Sequence, residues 1–325
     1  MKGLKKLALV TAIAAAPFAA NADLKALDDS AMGNVTGQAG VTIELETRVS
    51  IGEFTYTDEG TFAVSGIEIG GADASGLTLT DPASPDGGYD PQPGLVTQSE
   101  LLNDLKIDID VAADGDAVIH VGSNTGAPID WGMQVDSMSL RDNVEASSAT
   151  QNTTLISGLK AWGQLAALDI RVDTKDVGGI ADTGTLNLDA AFTVEQMDFD
   201  VEFLGVGIRD MKIVGANAGG ATYSDQEMAD LLGDDNGEDP ALEGKLAALA
   251  SGNNPLGQSF AVARLDVYKG NGLGASGATD VLRVDVDDVL MDVSVAETII
   301  GGANIGTIGI DNLHISDTKL AVYGH

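Results

Sequence analysis

The residues best suited to chemistry in this sequence belong to one short acidic segment. The segment combines carboxylate and amide oxygens within a Gly-rich turn, at Asp234, Asp235, Asn236, Glu238 and Asp239. Calcium binds about six to eight oxygen ligands of this kind, so the segment is a candidate calcium site. In an EF-hand loop built around Gly237, the first ligand would be acidic, but Leu232 occupies that position, although Glu243 fits the last one. The segment therefore predicts a calcium site of another kind.

Histidine and serine patterns give no catalytic constellation. The histidines are His120, His314 and His325, and they form no H-x-x-x-H or H-x-H zinc pattern. No G-x-S-x-G nucleophile elbow occurs in the chain. The 50 acidic residues would allow carboxylate pairs for glycoside hydrolysis, but aromatic residues that stack sugars make up only 4% of the chain. We therefore expect a protein that is not an enzyme and that binds no cofactor apart from the candidate calcium ion.

Charge and composition exclude nucleic acid as a partner and cysteine-based sites. The formal net charge is −33, so a nucleic acid, whose phosphates need clustered Lys and Arg, is excluded as a partner. The excess of Asp is explained either by solubility through self-repulsion or by calcium binding. We favour solubility. The chain has no cysteine, so disulfides and Cys-based metal sites are excluded.

The first 22 residues have the order of a secretory signal peptide. Lys2, Lys5 and Lys6 precede an apolar run of roughly ten residues, and Ala20-Asn21-Ala22 resembles a cleavage site. We expect cleavage after Ala22 and a mature domain over residues 23–325 that does not span the membrane. The predicted location is extracellular or on the outer cell surface, with the periplasm as the alternative.

Alternation of apolar and polar residues predicts strands through most of the mature chain. Leu105, Ile107, Ile109 and Val111 alternate with charged residues, and residues 105–122 are expected to form a β-hairpin. Residues 81–94 contain several Pro and Gly residues and predict an exposed loop.

A loose repeat predicts that the long strands bend. An alternating segment with Asp or Asn near its middle recurs at 133–142, 206–215, 284–293 and 308–317. Asp and Asn tolerate unusual backbone angles, so we expect a bend or bulge in each segment. The predicted fold class is all-β, with long bent antiparallel strands in a sandwich or elongated β-roll.

One segment, at 224–251, predicts a small helical insertion. Ser224 and Glu227 form a capping box, and Asp239-Pro240 supplies the start of a second helix. We expect this insertion to be a surface excursion between strands.

The start of the mature chain resembles a family of exported proteins. Residues 27–32 read LDDSAM and residues 35–43 read VTGQAGVTI. This region is similar to the opening of the gammaproteobacterial family that includes the pilus-system component FilA, although Met32 replaces the usual Leu. The resemblance implies a surface or pilus-associated structural role and carries no catalytic residues.

Three functions follow from these observations. The favoured one is a structural or adhesive surface protein, with the pilus association that the resemblance implies, whose partners are further copies or surface components. The alternative is a carrier of a lipid or other apolar ligand, because strands with Val, Ile and Leu on one side could line an apolar groove. The third is an extracellular module stabilised by calcium.

Overall fold

The computed structural model describes residues 40–72, 101–112, 115–142, 152–174, 184–217, 223–232, 240–253 and 259–324. The chain divides after Ala39, and Gly40–His325 form one compact unit. Within the described residues, twelve antiparallel strands share one sheet, and the predicted all-β class with a small helical insertion is confirmed. The strands are β1 (Val41–Thr47), β2 (Val49–Thr57), β3 (Gly60–Gly70), β4 (Leu102–Val111), β5 (Ala117–Ser123), β6 (Ile129–Asp142), β7 (Asn152–Asp173), β8 (Thr185–Val201), β9 (Val206–Val214), β10 (Ala261–Gly270), β11 (Val281–Ile300) and β12 (Ala303–Val322).

The long strands β7, β8, β11 and β12 join two halves of the sheet. In the first half the order is β1-β4-β5-β7-β8-β10-β11-β12. In the second half β2, β3 and β6 lead to β7, and β9 lies between β8 and β11. Both halves therefore have eight strand positions, with β1 and β2 at one edge and β12 at the other. The predicted hairpin at 105–122 is confirmed as the pair β4–β5.

The predicted bends occur where Asp or Asn interrupts a long strand. Asp210, Asn312 and Asp317 adopt positive φ values of 48°, 55° and 52°. Short polar side chains tolerate this left-handed region better than β-branched ones. In β11, the pairing with β10 shifts so that Asp287 is the additional residue of a β-bulge. A local sequence cue thus located the irregular positions of the sheet.

A glycine accommodates the acidic residue of the first repeated segment. Gly66 in β3 has a φ of 64°, and a Cβ atom there would lie 2.1 Å from Oδ2 of Asp136. Only glycine therefore allows this close approach without rearrangement.

The insertion contains the two predicted helices, α1 (Asp225–Leu232) and α2 (Pro240–Ala250). The Ser224 hydroxyl accepts the backbone N–H of Glu227 at 3.2 Å, and the Glu227 carboxylate accepts the backbone N–H of Ser224 at 2.6 Å. The capping box is therefore confirmed.

The prediction that these helices form a surface excursion is wrong, because they build the main buried cluster of the unit. The cluster joins both helices to one face of the sheet, and Phe260 at the start of β10 is completely buried in it. Its members are Ala167, Ala191, Ala216, Met228, Leu232, Leu246, Ala247, Leu249, Ala250, Phe260, Val262 and Leu290. Ala167 and Ala191 are paired on β7 and β8, and their small side chains allow the helices to approach the sheet.

Candidate apolar binding face

Three rows of side chains on one face of the first half of the sheet are almost entirely apolar. Directly paired residues of antiparallel strands project to the same face, so the pairing register defines each row. The first row contains Val41, Ile109, Ile119, Ile170, Leu188, Leu265, Val286 and Thr318. The second contains Ile43, Ile107, Val121, Leu168, Ala190, Ala263, Val289 and Ile315. The third contains Val111, Ala117, Val172, Leu186, Val267, Val284 and Leu320. We call these three rows the apolar face.

Within the described part of the chain, the apolar face has no covering layer. None of its side chains is buried, and Val111 and Val41 are 60% and 54% exposed. Three rows spaced about 6.8 Å apart over eight strands spaced about 4.8 Å apart occupy about 780 Å². The largest apolar patch on a soluble monomer is usually about 300–600 Å². A sheet normally buries such a face against another layer, so this face is suited to binding an apolar partner.

The apolar character continues into the second half of the sheet. A fourth row contains Val49, Ile69, Met133, Ala161, Met197, Met211, Val295 and Ile308. Along β11, simple alternation places Val295 on the same side as Val289. The apolar residues therefore extend along the strands as well as across them.

The opposite face of the first half carries a row of polar and charged side chains. This row lies between the first two apolar rows in the register, so its members project to the other side. It contains Thr42, Asp108, His120, Asp169, Asp189, Arg264, Asp288 and Ser316. In the first half of the sheet, charge is thus concentrated on the side away from the apolar face.

Partners on neighbouring strands satisfy most charges in the polar row. His120 Nδ1 lies 2.5 Å from Asp169, and His314 Nε2 lies 2.8 Å from Asp288. Arg264 Nε donates to Asp189 at 3.2 Å, and its Nη1 donates to the carbonyl of Leu232 at the end of α1. Both strand histidines therefore act as structural partners of carboxylates in these contacts.

A cluster of carboxylates surrounds the bulge in β11. Asp285, Asp287 and Asp288 line a cleft of about 410 Å³ together with Lys319. Burial raises the pKa of Asp287 to about 6, and the negative charge of Asp266 adds to the effect. Burial also raises the pKa of Asp288, although its hydrogen bond to His314 opposes the shift.

A second cleft lies where β1, β4 and β5 approach the start of β6. It measures about 620 Å³ and is lined by Glu44, Leu45, Asp104, Leu105 and Asp130, among others. The buried carboxylate of Asp130 accepts the backbone N–H of Ala72 at 3.3 Å. The Thr125 hydroxyl, in the same cleft, donates to the carboxylate of Asp104 at 2.6 Å. Both contacts join segments that are distant in the chain.

The calcium candidates Asp234, Asp235, Asn236, Glu238 and Asp239 lie outside the described residues, as do the signal peptide and the loop at 81–94. Among the residues that are described, no group of three or more His, Asp or Glu side chains is arranged to hold a metal ion. No described helix is long and apolar enough to cross a membrane.

The sequence contained the signal for the apolar face but not its extent. Alternation at Leu105–Val111 identified one strip of it. Its continuation over eight strands depends on the register between residues far apart in the chain, such as Leu265 and Leu188. Periodicity within single strands does not specify that register.

Comparisons with known proteins add one partial match. Residues 1–113 match a family described as "Family of unknown function (DUF6160)". No curated protein and no solved structure matches the chain. The match covers the region that resembles the FilA-containing family, but its description gives no function, so the pilus-associated role stays a prediction.

Proposed function

We propose that this chain is an exported, non-enzymatic protein that binds a lipid or another long-chain apolar ligand on its apolar face. The observation that carries the proposal is the set of three apolar rows that no described residue covers. The signal-peptide pattern supports export to the cell surface or the periplasm, where such ligands are handled outside the cytoplasm.

Charge favours an uncharged hydrocarbon over a second copy stacked on this face. Each copy carries a formal charge of −33, and face-to-face stacking would hold two such sheets about 10 Å apart. Hydrocarbon chains bring no such repulsion. Membrane acyl chains are about 15 Å long, half of the ~30 Å hydrocarbon core of a bilayer. The face extends about 34 Å from β1 to β12, so it is large enough for more than one chain.

Native mass spectrometry after gentle extraction tests the proposal first. We expect the protein to retain a ligand whose mass corresponds to a lipid or fatty acid. Binding of a fluorescently labelled fatty acid then gives an affinity. A protein that is free of ligand after extraction and does not bind the probe would refute the proposal.

Two neighbouring residues of β5 provide a matched pair of variants. Ile119 belongs to the apolar face, and Val118 is 37% exposed on the opposite face. Ile119→Asn should weaken binding of the probe roughly 10-fold or more, because losing one apolar contact costs about 1.5–3 kcal/mol. Val118→Asn should leave the affinity unchanged. Equal effects of the two variants would contradict binding on the apolar face.

The other two predicted functions lead to different results in lipid-binding, localisation and melting experiments. A structural or adhesive surface protein would lack bound lipid but would associate or localise to the cell surface. A calcium-stabilised module would melt at a higher temperature in millimolar calcium than in excess chelator, because a ligand of the folded state stabilises it.

A further inference from the structure

The two edges of the sheet, β1–β2 and β12, are complementary. β1 and β2 pair only inward, with β4 and β3, and β12 pairs only with β11 among the described residues. An edge strand exposes unpaired N–H and C=O groups that are able to pair with another strand. The two edges are 17 residues (41–57) and 20 residues (Ala303–Val322) long, so both offer a long pairing surface.

The direction of the chain suits pairing between opposite edges of two copies. β1 lies in the first half of the sheet and continues into β2 in the second half. β12 runs the other way, and its last residues pair with the start of β11 in the first half. The β12 edge of one copy would therefore be antiparallel to the β1–β2 edge of the next.

The side chains at equal height on the two edges also match. The apolar row that contains Ile43 ends at Ile315, and the polar row that contains Thr42 ends at Ser316. Glu44 and His314 lie on the same side of the sheet as the polar row, two residues from Thr42 and Ser316 towards the second half. Lateral addition would place Ile43 beside Ile315 and Thr42 beside Ser316, so apolar contact and pairing of neutral hydroxyl side chains would favour this register.

We propose that copies of this chain associate edge to edge, with β12 of one copy beside β1–β2 of the next. The contact is heterologous and leaves a free edge at each end, so it can add further copies. This edge contact makes the apolar faces of neighbouring copies continuous. It is formed by backbone groups of the edge strands, so it does not depend on a bound ligand. The large negative charge opposes association, so the contact should strengthen as salt screens the repulsion.

β12 contains backbone irregularities and charges of the kind that keep edge strands from pairing unspecifically. Asn312 and Asp317 twist the strand through positive φ, and Asp311 adds an exposed charge. Such bulges and charges disfavour addition of an arbitrary strand. A partner with the matching row chemistry is therefore favoured over other strands.

Cysteine cross-linking tests this register because the chain has no native cysteine. Thr42 and Ser316 are both exposed, and along the sheet they are about 34 Å apart within one copy. Directly opposed residues of paired strands have Cα atoms about 4.5–5.5 Å apart, which fits a disulfide. Under mild oxidation in about 0.5 M salt, a mixture of T42C and S316C should give one disulfide-linked dimer. The double variant T42C/S316C should give a ladder of multimers.

Ser50 on β2 provides the matched control on the same edge. It is exposed and lies about 25 Å along the edge from the height of Ser316. S50C mixed with S316C should yield at least tenfold less dimer than T42C mixed with S316C. Circular dichroism of each variant checks that the sheet is intact.

Sedimentation of the unmodified chain gives an independent readout. We expect a monomer at low salt and larger species at about 0.5 M salt. A monomer at all salt and protein concentrations would overturn the proposal. So would equal yields from S50C and T42C, efficient dimers from T42C alone, or an intramolecular disulfide in the double variant.

Discussion

We expect the charge of Asp287 to destabilise the folded protein at neutral pH and Asp287→Asn to relieve this cost. The residue is the additional position of the β11 bulge, half-buried in a cleft with Asp285 and Asp288. Asp266 on β10 adds a further negative charge, and Arg264, whose charge opposes the rise in pKa, is already hydrogen-bonded to Asp189. Asparagine has nearly the same shape as aspartate, so the substitution removes the charge without changing the packing.

The magnitude follows from the pKa of Asp287, which rises from 3.8 to about 6. Each pKa unit corresponds to about 1.4 kcal/mol, so a fully buried group would lose about 3 kcal/mol. Solvent screens a half-buried carboxylate, and we expect about 1 kcal/mol. Since the folded pKa is the higher one, the folded state binds more protons between about pH 4 and pH 6. The folded state is therefore free of this cost below about pH 4, where Asp287 is protonated, and the cost is fully present once the pH has risen through about 6.

Urea unfolding of the wild type and Asp287→Asn at several pH values measures this effect. We expect the variant to be about 1 kcal/mol more stable at pH 7 and the difference to vanish near pH 4. Asp311→Asn is the matched control, because Asp311 is exposed on β12 and its replacement also makes the net charge less negative by one. An equal gain in Asp311→Asn, or a gain for Asp287→Asn that does not change with pH, would refute the assigned cause.

Two further predictions concern the helices that cover the polar face. Phe260→Ala should lower the free energy of unfolding by about 3–5 kcal/mol, because Phe260 is fully buried between α2 and the sheet. Phe203→Ala, at a 58% exposed position, should change it by less than about 0.5 kcal/mol, and similar losses in denaturant unfolding would contradict this view of the core. Ser224→Ala should cost about 1 kcal/mol, because the N–H of Glu227 loses its acceptor at the start of α1. Ser224→Thr keeps a hydroxyl that accepts this N–H, so its stability should stay close to that of the wild type, which separates capping from packing. Unchanged stability of Ser224→Ala would contradict the cap.

Local features of the fold were predictable because they depend on residues close together in sequence. The hairpin β4–β5 has simple alternation on both strands, and the capping box needs only Ser224 and Glu227. The Asp and Asn positions of the repeated segments marked bends for a local reason as well. Each of these features is determined by backbone preference or by contacts within a few residues.

Long-range packing was the part that the sequence did not reveal. The helices contact Leu290 and Val262 only because β10 and β11 return to the sheet beside them. The pattern of α1 and α2 was compatible with either a solvated excursion or a covering layer. Small residues such as Ala191 look unremarkable in sequence, although here they leave the space in which the helices pack.

The arrangement of charge explains why ligand binding and lateral assembly are compatible. Charged side chains of the polar row lie mainly in its interior, and its two ends are the neutral residues Thr42 and Ser316. Joining two copies at these ends therefore adds no new contact between carboxylates in that row. The apolar face lies on the other side of the same strands and would become wider with every added copy. A long hydrocarbon ligand that extends across such a junction would contact both copies, so it should strengthen their association without altering the edge contact.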